Sequence, residues 1–371
     1  GGICRTMQVA KLGQETNLPC TPHSANLSLV TVFTLHLMGA IENAGPYVEF
    51  SIEPPEFEPW RDQLFYPELT VQDGKVQIPT TLNSAGCDAM KFEQMGIVVE
   101  HFLEHHLEII SAYEKMDVNP TLSCTPYDAG DSLPDGPASW AESNAVCFAN
   151  SYTGLRTNRE SGLSALASAL TGLVADYGLL KDRNRKPNVL VNVNANLNSI
   201  ADYSILADWM GKQIDSSWKL PWGIIPWITG LSESLTFEQL KALTSAAANY
   251  GCALLYVEGN TTSLAISDNH EWEGILEFSQ KDLDEMYTKL APKFKVDLVT
   301  IGCPQASLGE LEQCAAICEE LSDNGLKIPN ERLWVFTSIH NYKVAELNGL
   351  IEKIERIGGL VLKGTCPEVV P

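Results

Sequence analysis

Asp297-Leu-Val-Thr-Ile-Gly-Cys-Pro304 has the pattern of a strand that ends in a Cys-Pro turn. A helix is predicted directly after it, over residues 307–321, because Ser307 and Glu310 have the spacing of a capping box. Similar strands and helices alternate from residue 236 to a second Cys-Pro turn at Cys366. This alternation predicts an α/β fold with parallel sheets that are covered by helices.

Cys303 and Cys366 occupy equivalent positions, because each follows a predicted strand and precedes a proline. Sites in open α/β sheets form beyond the carboxyl ends of the strands, so we expect both thiols at one edge of the sheet. Cys124 precedes a Thr-Pro pair on a loop. The three side chains either converge as thiolate ligands or belong to three separate tight turns. Three cysteine ligands on an iron–sulfur cluster would leave one iron free to bind a substrate oxygen.

The stretch from Cys124 to Glu160 contains a second candidate site. Arg156 and Arg159 are three residues apart and follow Gly154. Their polar neighbours are Asn150, Ser151, Thr157 and Asn158. Guanidinium, amide and hydroxyl groups at this density favour the binding of an oxygen-rich anion.

Length and charge limit the class of protein and its partners. The 371 residues are too many for one ordinary core, and we predict two α/β regions, residues 1–185 and residues 186–371. The 47 acidic and 25 basic residues give a net charge of −22, which argues against nucleic acid and anionic membranes as partners. Two arginines in a pocket can still bind a small anionic substrate. The apolar runs are shorter than the roughly 20 residues of a membrane span.

The ten cysteines are compatible with a secreted disulfide protein or with a reducing cytoplasm. Disulfide scaffolds are small and loop-rich, whereas this chain is long and strongly patterned, so we predict a cytoplasmic protein with mostly buried free thiols. Cys314 and Cys318 could hold a metal at their i, i+4 spacing, but their apolar neighbours favour core packing. His101 and His105 share the same spacing, but their glutamate neighbours favour a solvated face.

Several longer motifs resemble the large, catalytic part of the aconitase X family. They are Cys124-Thr-Pro-Tyr127, Trp140-Ala-Glu-Ser143, Ala149-Asn-Ser151, Gly154-Leu-Arg-Thr-Asn-Arg-Glu160, Ser164-Ala-Leu-Ala167, Gly302-Cys-Pro304 and Gly364-Thr-Cys-Pro367. His23 and the segment Thr80-Thr-Leu-Asn83 also match in place. The resemblance extends over essentially the whole chain.

The resemblance implies the catalytic region of the aconitase superfamily, with several α/β domains and an iron-containing site. Members of the family include cis-3-hydroxy-L-proline dehydratases and archaeal mevalonate 5-phosphate dehydratases. We therefore expect an iron–sulfur-dependent hydro-lyase that dehydrates a small hydroxy acid. Cis-3-hydroxy-L-proline is the favoured substrate, because only Arg156 and Arg159 are available in this stretch to bind a phosphate. The alternative is the large subunit of a mevalonate 5-phosphate dehydratase.

The resemblance also implies roles for individual residues. The ligands of a 2Fe-2S or 4Fe-4S cluster, or of a mononuclear iron, would be Cys124, Cys303 and Cys366. The catalytic residues would be Arg156, Arg159, His23 and Glu142. The substrate-binding residues would be Asn150, Ser151, Thr80, Thr81 and Asn158.

The sequence departs from the family pattern at its ends. The small swivelling domain, which brings a catalytic serine in this superfamily, is expected to be absent from this chain. A small aconitase X domain or subunit is therefore the expected partner, and it would supply the base. A hypothesis of another class is a non-catalytic iron–sulfur protein, or a structural subunit whose cysteines are plain thiols.

Overall fold

The computed structural model describes residues 3–22, 29–45, 74–130, 133–261, 270–329 and 332–370. The chain divides into two compact units, one of Gly1–Gly74 with Thr171–Leu173 and one of Lys75–Leu170 with Val174–Pro371. The predicted boundary between residues 185 and 186 stays a prediction. Within the described ranges, every helix is too short or too polar to cross a lipid bilayer.

The described part of the first unit is largely helical. It contains α1 (Ile3–Glu15) and α2 (Leu29–Ala40). The side-chain amide of Asn43 donates to the carbonyl oxygens of Ala10 and Leu18, each at 2.9 Å. These bonds fix the end of α1 against the segment that follows α2.

The second unit begins with a helix and a small parallel β-α-β element. Its elements in chain order are α3 (Phe102–Lys115), β1 (Gly136–Trp140), α4 (Ser143–Tyr152), β2 (Leu155–Arg159) and α5 (Gly162–Thr171). The strands β1 and β2 pair in parallel, with Trp140 opposite Arg159. Arg156 and Arg159 therefore lie on a strand.

A four-stranded parallel sheet follows, with strand order β5-β4-β3-β6. Its elements are β3 (Val189–Val193), α6 (Ile200–Lys212), β4 (Pro226–Thr229), α7 (Phe237–Ala248), β5 (Tyr256–Val257), β6 (Gly274–Phe278) and α8 (Gln280–Leu290). The helices α6, α7 and α8 each begin with a capping box, which satisfies backbone N–H groups of the first turn. The hydrophobic core on this sheet includes the fully buried Val191, Leu206, Leu243 and Phe278.

A three-stranded parallel sheet closes the second unit, with order β7-β8-β9. Its elements are β7 (Val299–Ala306), α9 (Leu308–Asp323), β8 (Leu333–Thr337), α10 (Ile339–Leu347), α11 (Leu350–Arg356) and β9 (Gly359–Lys363). The alternation of strands and helices confirms the predicted α/β class with parallel sheets. Cys314 and Cys318 are buried in the core of this sheet, as their apolar neighbours predicted.

The position of Cys303 differs from the prediction. The sequence predicts that the strand ends before it, whereas Cys303 lies inside β7, where the pairing with β8 shifts between Ile301 and Ala306. A Cβ atom at Gly302 would lie 2.4 Å from the carbonyl oxygen of Phe336. Only glycine permits this close approach to β8. The strand β7 continues through the predicted Cys-Pro turn to Ala306.

Candidate active site

The three cysteines that the sequence singled out meet at one place in the second unit. The backbone N–H of Gln305, two residues after Cys303, donates to Sγ of Cys124 at 3.3 Å. The charge of Cys366 contributes to raising the pKa values of both Cys124 and Cys303, so the three thiols lie within electrostatic reach of one another. Cys124 and Cys366 are buried, and Cys303 is exposed.

Burial dominates the ionisation of these thiols. Desolvation raises the pKa of Cys124 to about 12 and outweighs the hydrogen bond from Gln305, which acts in the opposite direction. Cys303 is the exposed thiol, but enough protein surrounds its Sγ for desolvation to raise its pKa to about 11. Desolvation also raises the pKa of Cys366. Without a bound cation, all three side chains are neutral thiols at pH 7, and metal binding would release their protons.

Glu142 stands beside the three thiols at the amino end of α4. Its Oε2 accepts a hydrogen bond from Nδ2 of Asn83 at 3.0 Å, and its Oε1 accepts one from Nδ2 of Asn144 at 2.9 Å. The amide of Asn144 also donates to the carbonyl oxygen of Cys124 at 3.1 Å. The charge of Glu142 contributes to raising the pKa of each cysteine in the set Cys124, Cys303 and Cys366. The structure therefore presents an oriented carboxylate next to the thiols.

Two buried hydroxyl groups at this place have no partner among the described residues. They are Oγ of Ser84 and Oγ1 of Thr365. The Ser84 hydroxyl nevertheless contributes to lowering the pKa of both Cys124 and Cys366, so it lies next to their sulfur atoms. An unsatisfied buried hydroxyl costs about 1–3 kcal/mol, which favours an additional acceptor at the site.

These features fit an iron–sulfur cluster. Its inorganic sulfides accept hydrogen bonds, and its cysteine ligands bind different iron atoms and therefore lie farther apart than the ligands of a single ion. In the part of the chain that the structure describes, no group of three His, Cys, Asp or Glu side chains is arranged to hold one metal ion.

A buried cation lies near the thiols. The side chain of Lys241, on α7, is 1% exposed and forms an ion pair with Glu310 at the start of α9. Its charge contributes to lowering the pKa of Cys303 and of Asp128. Burial is the larger cause for Asp128 and raises the pKa of this carboxyl group, although Asn341 donates to it at 2.8 Å.

The other predicted substrate-binding residues form a separate group around β2. The amide of Asn150 donates to the carbonyl oxygens of Thr157 and Ala253 at 2.8 and 2.9 Å. The guanidinium of Arg185 donates to Oδ1 and the carbonyl oxygen of Asn150 at 2.9 and 2.8 Å. Ser151 and Asn158 likewise bond to backbone groups at positions 147, 255, 177 and 179. Within the described residues, no hydrogen bond or ion pair joins this group to Cys124, Cys303 or Cys366.

The two arginines differ in their contacts. Nη1 of Arg156 donates to Oδ1 of Asp182 at 2.5 Å, on the opposite face of β2 from Arg159. Arg159 is exposed, and its side chain makes no hydrogen bond or ion pair with any residue in the described ranges. Arg159 is therefore the one of the two whose guanidinium is available to a ligand.

Thr80 and Thr81 make contacts with backbone groups. The hydroxyl of Thr80 donates to the carbonyl oxygen of Ile78 at 2.9 Å, and the exposed Thr81 forms a β-bridge with Asn119. His23 lies outside the described residues. His101 is exposed and close to two glutamates, in agreement with the solvated face that the sequence predicted.

Sequence reasoning missed the residues that orient the site: Asn83, Ser84, Asn144 and Gln305. Asn83 ends the Thr80-Thr-Leu-Asn83 motif, and Gln305 directly follows the first Cys-Pro pair of the chain. Their position next to quoted motifs was the available signal, because their partners lie far away in sequence.

Two parts of the chain match models of a single protein family. Residues 56–183 match the aconitase X first domain, and residues 296–371 match the aconitase X third domain. The phosphomevalonate dehydratase large subunit of Thermococcus kodakarensis is 35% identical over 312 residues, which are 83% of this chain and 74% of that protein. The chain belongs to the aconitase X family.

Other relatives of this aconitase X chain carry one of two names. The phosphomevalonate dehydratase large subunit of Methanocaldococcus jannaschii is 36% identical over 83% of this chain and 75% of that protein. The cis-3-hydroxy-L-proline dehydratase of Pseudomonas aeruginosa is 29% identical over 79% of this chain, and the match spans 50% of that protein. Both names denote dehydratases, so the predicted hydro-lyase class of enzyme is confirmed.

The fold also agrees with a solved member of the family. The aconitase X of Thermococcus kodakaraensis, in its holo-form, superposes with a TM-score of 0.69 at 34% identity and covers 80% of this chain and 72% of that one. The matches to the aconitase X domain models nevertheless cover less of the chain than the sequence motifs indicated. Residues 1–82 match a different model, the enolase C-terminal domain-like family, and His23 lies within that segment.

Proposed function

We propose that this aconitase X chain is the large subunit of a phosphomevalonate dehydratase and removes water from mevalonate 5-phosphate at an iron–sulfur cluster. The observation that carries the proposal is the meeting of Cys124, Cys303 and Cys366 beside Glu142 and two unpartnered hydroxyls. The relatives named phosphomevalonate dehydratase large subunit reach 33–36% identity in the first four cases. Those named cis-3-hydroxy-L-proline dehydratase reach 29–30%.

Charge near β2 supports the phosphorylated substrate. Cis-3-hydroxy-L-proline was favoured because only Arg156 and Arg159 were available to bind a phosphate. The structure adds further cations, because Arg156 is paired with Asp182, and Asp182 belongs to the strongly basic segment of residues 181–186. Its basic residues are Lys181, Arg183, Arg185 and Lys186. Burial lowers the pKa of Arg185, and the charge of the nearby Arg156 contributes in the same direction. A phosphate group bears more charge than a carboxylate and needs such a concentration of cations.

Cys124, Cys303 and Cys366 would hold the cluster. Held by three cysteines, the cluster would leave one iron open and would supply Lewis-acid chemistry toward the substrate hydroxyl. The hydroxyls of Ser84 and Thr365 are available to donate to its sulfides. Cys124 and Cys366 are buried, and the turns that carry them would exclude water from one side of the site.

Glu142 would exchange a proton with the substrate. Dehydration takes a proton from carbon and returns one to the departing hydroxide, and a carboxyl group fixed beside the reacting atoms would serve the second of these transfers once it carries a proton. The two amides of Asn83 and Asn144 hold both of its oxygens, which orients the carboxylate before substrate binds. Arg159 would bind the substrate carboxylate with its unpaired guanidinium.

The proposed enzyme includes a small partner subunit, since the relatives are named as large subunits. This partner would supply the base that removes the proton from carbon. We propose a cytoplasmic location, because the cluster needs reduced thiols and the nine cysteines that the structure describes are all free.

The test is anaerobic co-purification with the small subunit, followed by measurement of iron, acid-labile sulfide and water loss from each substrate. We expect stoichiometric iron and sulfide, turnover of mevalonate 5-phosphate, and loss of both in Cys303→Ser. Cys318→Ser, which changes a buried core thiol on α9, is the control and should keep the cluster. Turnover of cis-3-hydroxy-L-proline alone would overturn the substrate, and a folded protein without iron and sulfide would overturn the cluster.

A further inference from the structure

We propose that Gln305 is the positioning residue that holds the three cysteine-bearing turns at the spacing that the cluster requires. The inference rests on the proposed cluster site. Gln305 is fully buried and lies two residues after Cys303. A glutamine in this place makes contacts with both of the other turns.

The contacts use the backbone and the whole side-chain amide. The backbone N–H donates to Sγ of Cys124 at 3.3 Å. Nε2 donates to the carbonyl oxygen of Leu122 at 3.2 Å and to that of Thr365 at 3.0 Å. Oε1 accepts from the hydroxyl of Ser123 at 2.8 Å. Both N–H groups of one amide are thus shared between the turn before Cys124 and the residue before Cys366.

The turn at Leu122 shows why this amide matters. Leu122 has a φ of 48°, in the left-handed region that a leucine rarely adopts. Such a conformation persists only where the surrounding structure imposes it. The bond from Gln305 to the Leu122 carbonyl and the bond from Ser123 to the Gln305 oxygen act on the two residues that precede Cys124.

The surroundings offer no simple replacement for the amide. Ser123, Gln305 and Thr365 are all nearly or fully buried, with exposures of 3%, 0% and 0%. An apolar side chain at position 305 would leave two carbonyl oxygens to find other partners away from water, whereas the hydroxyl of Ser123 would keep its contact with Oγ1 of Thr125 at 3.2 Å. The three turns would then lose their common connection, and the sulfur atoms would be free to separate.

A role in positioning predicts an effect on the cluster that is larger than the effect on the fold. Groups that orient metal ligands typically change metal affinity by about 10–100-fold when they are replaced. We therefore expect Gln305→Met, which keeps the length of the side chain and removes its polar atoms, to release iron to a chelator about 10–100 times faster. The backbone N–H to Cys124 is retained in this variant.

The experiment uses the full chain, purified anaerobically, and measures iron, acid-labile sulfide, the visible spectrum and the rate of iron release. Asn188→Leu is the matched control. The amide of Asn188 also joins two segments, since Nδ2 donates to the carbonyl oxygen of Gly223 at 3.0 Å and Oδ1 accepts from the N–H of Ile225 at 2.8 Å. The control should lose stability while its cluster content and release rate stay those of the wild type.

Each outcome decides a separate point. A wild-type chain without iron and sulfide would overturn the proposed cluster itself. A wild type with a cluster and a Gln305→Met variant with the same release rate would overturn the role of Gln305 alone. Where Gln305→Met does not fold, Gln305→Glu provides the second test, because it keeps the acceptor for Ser123 and removes the two donors. Faster release in either folded variant, but not in Asn188→Leu, supports the inference.

Discussion

The side-chain amide of Asn83 donates to a carboxylate oxygen of Glu142 at 3.0 Å, across 59 residues of sequence. The amide of Asn144 binds the second oxygen at 2.9 Å. Glu142 also stands at the amino end of α4, where the partial positive charge of the helix favours a carboxylate. The carboxylate beside the thiols is therefore fixed in orientation by the protein and does not depend on substrate for its alignment.

Glu142→Gln is expected to lower kcat by about 10²–10⁴-fold with little change in stability, because the amide keeps the shape of the side chain but cannot take up or release a proton as the carboxyl does. Steady-state kinetics of the complete enzyme and a denaturation curve measure the two quantities. Glu277→Gln is the control, since the Glu277 carboxylate also accepts from two asparagines, Asn192 and Asn194, at 2.6 and 3.0 Å. Equal losses in both variants would contradict a catalytic Glu142.

Arg159→Gln is expected to lower kcat/KM by roughly 10–100-fold, because a hydrogen bond to a charged group contributes about 1.5–3 kcal/mol. Arg156→Gln should change kcat/KM much less, since Arg156 is already paired with Asp182. That ion pair is largely exposed and contributes at most about 1 kcal/mol to stability. Kinetics and denaturation of both variants distinguish the two arginines. A larger loss of kcat/KM in Arg156→Gln would reverse the assignment.

The parallel α/β fold could be predicted because its signals are local. Ser307 caps the amino end of α9, as its capping-box spacing with Glu310 indicated. The sequence predicts one helix over residues 342–357, whereas the structure has α10 and α11, separated at Gly349 with a φ of 72°. Glycine adopts both the helical and the left-handed backbone conformation, so a glycine at position 349 does not show whether the helix is continuous or broken.

The candidate site was predictable only in part. The convergence of Cys124, Cys303 and Cys366 was one of two interpretations that the sequence left open, and the contacts of Gln305 connect the three segments that carry them. The bonds of Gln305 to residues 122 and 123 span 183 and 182 positions, and periodicity carries no information about such contacts. Asn150 has the composition of a ligand-binding residue, but the same amide also suits the internal bonds that it makes.

The buried ion pair of Lys241 and Glu310 joins α7 to α9. Lys241→Met is expected to reduce the free energy of unfolding by about 3–5 kcal/mol, because it leaves the Glu310 carboxylate without its cation. The double variant Lys241→Met/Glu310→Gln should recover much of this loss, since the amide oxygen can still accept from the N–H of Ser307. Urea denaturation of Lys241→Met, of Glu310→Gln and of the double variant gives the coupling energy. Strict additivity of the single losses would contradict an interacting pair.

Asp202 is expected to stabilise the protein at neutral pH and not in acid. Burial alone would raise the pKa of this carboxyl group, but hydrogen bonds from Tyr287, Ser199 and Asn198 outweigh burial and lower the pKa below its ordinary value of 3.8. A depressed pKa contributes stability that is present above the unfolded value and is lost as the pH falls through the folded one. The contribution therefore disappears below about pH 4.

Asp202→Asn should consequently reduce the free energy of unfolding by about 1–2 kcal/mol at pH 7, since it also removes the capping box at the start of α6. The difference from the wild type should begin to shrink as the pH falls below about 4, where the carboxyl group of the unfolded chain takes up a proton, and should be lost as the pH falls through the lower pKa of the folded protein. Urea denaturation at several pH values measures this difference, with the exposed Asp323→Asn as control. A difference that stays constant across the range would mean that Asp202 acts through packing rather than through its charge.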